Sequence, residues 1–146
     1  MPDVVAGHMI RSMSKTVKTL DLSRNPVGLN TCMALSTYLP GSRLYHLDLS
    51  DTHIDDASMI HLAFPFQMNI CCWELGLRRL TRVSKHGISP LGIALVNSMR
   101  LEPLELSIDL TGSSHDINTD WIGRARLKHP GVQAHDSFHR SVRKMA

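Results

Sequence analysis

Aromatic side chains are scarce, at 5% of a 146-residue chain whose apolar residues make up 42%. A core of ordinary globular size must therefore come from Leu, Ile, Val and Met. Cysteine is rare too. Cys32, Cys71 and Cys72 form an odd set with two neighbours adjacent, which argues against a disulfide framework and for buried structural thiols. A reducing, intracellular setting is expected, cytoplasmic by default, with mitochondrial import left open. No run of about 18 apolar residues is present, so a helical membrane span is not expected. The segment MPDVVAGHMIRSMSK has no apolar core of the signal-peptide kind, and Asp3 speaks against a transit peptide. Net charge is only +3, so any electrostatic reading depends on where the charges lie.

What the chain does have is a repeat. VKTLDLSRN (17–25) aligns with LYHLDLSDT (44–52), CWELGLRRL (72–80) and LEPLELSID (101–109), and a weak fifth copy fits at Val132–Ala134. Counted from the first apolar position, the copies begin at 17, 44, 72, 101 and 129, with spacings of 27, 28, 29 and 28. Apolar residues at positions one, four and six place a short strand's inward side chains on a shared core, because successive strand residues face opposite sides. The polar ninth position is suited to hydrogen-bonding backbone where the chain leaves the strand.

The second half of each copy reads as helix. Met33, Leu35 and Leu39 precede the stop Pro40-Gly41, and Ala57, Ile60 and Leu62 follow an Asp55 or Asp56 cap and precede Pro65. Pro90 suits the first helical position before Leu91, Ile93, Ala94, Leu95 and Val96. Thr119 or Asp120 caps Trp121, Ile122, Ala125 and Leu127, ahead of Pro130-Gly131. A lone helix over residues 4–13, with Val5, Met9 and Met13, is expected to cover the open side of the first strand.

In these copies the chain resembles the leucine-rich-repeat family, pattern L-x-x-L-x-L-x-x-N, and its period is similar to that of the ribonuclease-inhibitor-like subclass. The resemblance covers residues 17–135. Leu80 stands where the pattern has Asn, and Thr52 and Asp109 are milder departures. It implies an α/β fold: a short leucine-rich-repeat solenoid or horseshoe, with parallel strands on the concave face and helices on the convex face. The expected organisation is a capping helix at 1–16, about four and a half repeats over 17–135, and a basic tail at 136–146.

Stacked copies sort the outward residues into columns. The third-position column reads Thr19, His46, Glu74 and Pro103; the fifth reads Asp21, Asp48, Gly76, Glu105 and Gln133; the seventh reads Ser23, Ser50, Arg78 and Ser107. His46, Asp48 and Ser50 have the residue types of a hydrolytic triad. Residues two apart on one strand face nevertheless stand about 6.5–7 Å apart, beyond proton-transfer reach. The Asp-Leu-Ser portion also recurs at residues 21–23, as a repeat template would make it. A solvated strand face and a non-enzymatic protein are therefore expected.

His135-Asp136-Ser137-Phe138-His139 is similar to H-E-x-x-H but overlaps the last strand, so neither a metal nor a cofactor is expected. Basic residues gather at Arg78–Lys85 and again at Arg124, Arg126, Lys128, Arg140, Arg143 and Lys144, away from the carboxylates of Asp21, Asp48, Glu74, Glu102 and Glu105. Asp21 and Asp48 should repel each other across neighbouring strands, a cost that a basic partner or nearby screening groups such as Arg24 and Arg78 would offset.

The expected function, carried in part by the resemblance, is protein binding through the concave face, with Tyr45, His46, Asp48, Trp73, Glu74, Arg78 and Glu105 as contacts and a basic partner suited to the face. The alternative is a structural subunit of a large intracellular or organellar assembly that could contain RNA, docked through the basic third-repeat exit and tail. Direct nucleic-acid binding is the weaker expectation, since only Trp73 lies close to the basic run.

Overall fold

Alternation of Leu with polar residues decides the strands, and proline, serine and aspartate punctuate the helices. The computed structural model describes residues 1–99, 103–109 and 120–135. In chain order the elements are α1 (Asp3–Ser12), β1 (Thr19–Asp21), α2 (Leu29–Tyr38), β2 (His46–Asp48), α3 (Asp56–Phe66), β3 (Glu74–Leu77), α4 (Lys85–Val96), β4 (Glu105–Asp109), α5 (Asp120–Lys128) and β5 (Val132–His135). The strands form one parallel sheet in the order β1-β2-β3-β4-β5, and each helix packs on the next. The expected tail at 136–146 lies outside the described residues, and no described helix is long and apolar enough to cross a membrane.

One sheet face is closed by the helices. Leu44, Leu47 and Leu49, then Cys72, Leu75 and Leu77, are almost fully removed from solvent, as the first, fourth and sixth positions require. They join Leu35 of α2 and Leu39 just after it, Met59, Leu62 and Phe66 of α3, and Ile88, Leu91 and Leu95 of α4 in one contiguous core. Each such side chain contributes roughly 1.5–3 kcal/mol on burial. The ninth position acts as expected in two copies. Asn25 donates to the carbonyls of Leu22 and Ser23, and the buried Thr52 hydroxyl donates to Leu49. In the third copy Leu80 simply joins the core.

Several expectations are corrected. On the helices, Met33, Ala57, Ile60 and Ile93 face outward. Leu35, Leu39 and Leu62 do face inward, joined by Cys32, Met59, Ala63 and Phe66. These helices are apolar on several sides, so the apolar pattern does not select one face. α3 continues through Pro65 to Phe66. α4 begins at Lys85, well before Pro90, because Ser84 caps it by accepting from the His86 N–H. The carbonyls that these prolines leave unpaired within the helix belong to His61 and His86, both exposed residues.

α1 buries Ala6, Gly7 and Ile10, leaves Val5 exposed, and packs on α2 rather than over β1. The cause lies at its first residue. The Asp3 carboxylate accepts from the N–H groups of Gly28, Asn30 and Thr31 and from the Thr31 hydroxyl, closing the N-terminus of α2. Partial burial raises the Asp3 pKa, but hydrogen bonds from Gly28, Thr31 and Asn30 outweigh it and hold the carboxyl at about 2.

The fourth copy enters the sheet two residues later than the sequence alignment places it. Glu74 pairs with Glu105, Gly76 with Ser107, and Leu77 with Ile108. Glu105 therefore belongs to the third-position column, not the fifth, and Ser107 to the fifth, not the seventh. Asp109, the last residue of β4, pairs with His135 and so holds the seventh position rather than the ninth. Leu106 and Ile108 become the fourth- and sixth-position core residues, both buried.

Candidate functional site

The sheet face away from the helices carries a groove of about 390 Å³, lined by His46, Asp48, Glu74, Arg78 and Glu105 together with Gly76, Ser107 and Gly131. Strand register builds it. Thr19, His46 and Glu74 lie side by side, with Glu105 next to Glu74; one row over, Asp21, Asp48, Gly76 and Ser107 are neighbours. Neighbouring backbones in such rows are about 4.8 Å apart.

Three of the acidic side chains are held locally. His46 Nδ1 lies 3.2 Å from a Glu74 carboxylate oxygen, with both side chains part-exposed. Asp21 accepts from the Ser23 N–H at 2.9 Å and the Ser23 hydroxyl at 2.6 Å. Those two hydrogen bonds, the hydroxyl first, hold its pKa below the usual carboxylate value, aided by the charges of His46 and Arg24. Asp48 accepts from the Ser50 N–H at 2.9 Å. The Asp21–Asp48 repulsion expected from the sequence is thus met by a serine two residues after each aspartate.

Ser50 is corrected outright. It is 2% exposed rather than solvated, and its hydroxyl oxygen accepts from the Arg78 N–H at 3.0 Å. Its carbonyl accepts from the Arg24 N–H. The residue ties three copies together, and His46 is engaged with Glu74, so the triad residues are occupied structurally.

Gly76 sets the depth of the groove. A Cβ at this position would stand 3.3 Å from Ser50 Oγ, a tight contact, and 2.8 Å from Asp48 Oδ1, closer than real contacts come, so the carboxylate would have to shift. The bare backbone leaves space for the Asp48 carboxylate beside it. This residue was visible in the sequence as the gap in the fifth column. Ser107 was read one column away, because the fourth copy is shifted by two residues, and Gly131, just before β5, stood in no column.

Tyr45 and Trp73, expected among the contacts, do not line the groove. They stand one residue before β2 and β3, with ring centroids 6.2 Å apart and planes inclined by 17°. The run Arg78–Lys85 is likewise divided. Arg78 faces the groove, Leu80 and Val83 enter the core, and Ser84 caps α4 while donating to Asp56. Arg79 and Arg82 line a separate depression at the strand exits.

His135 ends β5, and residues 136–139 of the zinc-like pattern lie outside the described residues. Cys32 is buried, and burial with the charges of Asp3 and Asp55 raises its thiol pKa strongly; Cys72 is buried, whereas Cys71 is exposed, against expectation. Among the described residues no group of three His, Cys, Asp or Glu side chains is placed to hold a metal.

Fold and groove together define an α/β protein with a parallel sheet covered by helices on one face and bearing a carboxylate-lined groove on the other. No protein-family model matches the chain, and no curated protein matches it.

Proposed function

We propose that the chain is a leucine-rich-repeat solenoid of the ribonuclease-inhibitor-like kind, and that it works as a non-enzymatic protein-binding module. The open sheet face receives a partner that presents a basic side chain. The observation that carries this reading is the arrangement of Asp48, Glu74 and Glu105 around the cleared space at Gly76. Three carboxylates on adjoining strands meet one groove cation, Arg78, and the titratable His46. The hydrogen bond from the Ser50 N–H orients the Asp48 carboxylate before any partner arrives, which reduces the ordering cost of binding. An Arg or Lys entering beside Gly76 would gain charge-assisted hydrogen bonds in a geometry already set.

The test is photo-crosslinking from a probe at Ser107 of the full chain in native extract, followed by mass spectrometry. A specific partner should be captured, and Asp48→Lys or Glu74→Lys should abolish capture while leaving the circular dichroism spectrum unchanged. Equal capture by the wild-type chain and both charge reversals would remove the open face as the binding surface.

A further inference from the structure

At the C-terminal ends of β1, β2 and β3, the exit turns form a second depression of about 430 Å³, whose lining includes Arg24, Asp51, His53, Arg79, Thr81 and Arg82. Arg24, Asp51 and Arg79 hold the eighth position of three consecutive copies, and all three adopt left-handed backbone, with φ of 62°, 57° and 57°. For residues with a Cβ this conformation costs roughly 1–2 kcal/mol each. The shared geometry aligns the three residues in one row across the strands. Arg24 and Arg79, two strands apart, are separated by about 10 Å of backbone, with Asp51 between them.

The arginines act on neighbouring acids only at longer range: behind the hydrogen bonds from Ser23 and Ser58, the charges of Arg24 and Arg82 help to lower the pKa of Asp21 and of Asp55. Among the described residues none of Arg24, Arg79 and Arg82 has a carboxylate within ion-pair distance. Apart from Asp51, which lines the depression itself, the neighbouring acids hold hydrogen bonds of their own: Asp55 accepts from the Ser58 N–H and hydroxyl, and Asp21 from Ser23. Guanidinium groups pair with carboxylates through two parallel hydrogen bonds, so a row of them selects planar anions.

We propose that this depression binds an extended acidic segment of a partner protein. Its carboxylates recur about 10 Å apart, and a neutral or basic residue between them faces Asp51. A polyproline-type chain, with three residues per turn, supplies that spacing on one side at every third residue, at about 3.1 Å per residue. A nucleic-acid strand fits less well. Asp51 interrupts the row that a phosphate backbone would follow, and among the described residues lining the depression there is no Phe, Tyr or Trp to stack a base, the one ring being the imidazole of His53. This site is independent of the open-face groove and opposite to it in charge.

The experiment is fluorescence anisotropy of the full chain with a labelled peptide of repeated Glu-Ser-Lys, at matched ionic strength with a single-stranded oligouridylate. The peptide is expected to bind, to weaken as salt rises, and to lose at least tenfold in affinity with Arg79→Asn combined with Arg82→Glu. Asn tolerates left-handed backbone, and circular dichroism checks that the double variant folds. Asp48→Lys, on the other surface, should leave peptide affinity within twofold. Absence of peptide binding, an unchanged affinity in the double variant, or tighter binding of the oligouridylate would each overturn the proposal.

Discussion

Leu47 and Asp48 are neighbours in the chain and belong to different regimes. Leu47 is fully buried between the sheet and the helices, whereas Asp48 lines the groove on the face the helices leave uncovered. The same two-residue period gives β2 and β3 one side that fixes the fold and one side free to vary in charge. Only the first is constrained by packing density, so substitutions should divide sharply between the two faces.

The strongest expected effect is on the closed side. Leu47→Ala should cost about 2–5 kcal/mol in urea unfolding, because its neighbours cannot collapse into the space left behind. A loss below about 1 kcal/mol would show that the sheet–helix core is loose there. Gly76→Val tests whether the open side has a packing limit of its own. The new side chain meets Asp48 and Ser50, and a loss of about 1–3 kcal/mol is expected; a neutral outcome would mean that the Asp48 carboxylate moves aside freely.

Ser50→Ala probes the residue that breaks the division, an outward position that is nonetheless buried. Removing the acceptor of the Arg78 N–H should cost about 1 kcal/mol, measured by thermal unfolding.

The helix layer supplies a pH-dependent case. Asp3 has its pKa lowered from 3.8 to about 2, so its contribution is present above the unfolded value and disappears as pH falls from about 4 toward 2. Asp3→Asn should therefore lower the Tm near neutrality by the equivalent of about 1 kcal/mol, a cap-sized effect in a part-exposed setting. The gap between the two proteins should close over that acid range; a gap that persists at pH 2 would show that the carboxylate charge is not what closes α2. The smallest effect belongs to Asp48→Lys, expected to change stability by less than about 0.5 kcal/mol in the same urea assay. A larger loss would mean that the Ser50 hydrogen bond matters to the fold.

Much of the sheet was legible from the alternation of its leucines. Positions four and six of the first three copies fall where the pattern puts them, and so do His46, Asp48, Glu74 and Arg78. The fourth copy shows the limit. Leu104, Leu106 and Ile108 are all apolar at alternate positions, and a shift of two residues keeps every side chain on its proper face. Alternation therefore identifies which side Glu105 is on without fixing its neighbour; that choice is made by pairing with β3 and β5. Helix faces were harder to read, since Ile60 and Ile93 are as apolar as the residues that point inward. Tyr45 and Trp73 precede their strands, where the two-residue period no longer dictates direction.

The seating of α1 on α2 has a consequence for association between copies of the protein. β1 ends the strand order, and α1 packs along the helices instead of beside it. An edge strand with free N–H and C=O groups can template aggregation. Here the template is only three residues long, Thr19–Asp21, with Lys18 before it and a charged aspartate at its end. Brevity and charge take the place of a cover. Lengthening this strand, or replacing Lys18 and Asp21 with β-branched apolar residues, would turn the edge into a seed for polymerisation while leaving the interior untouched.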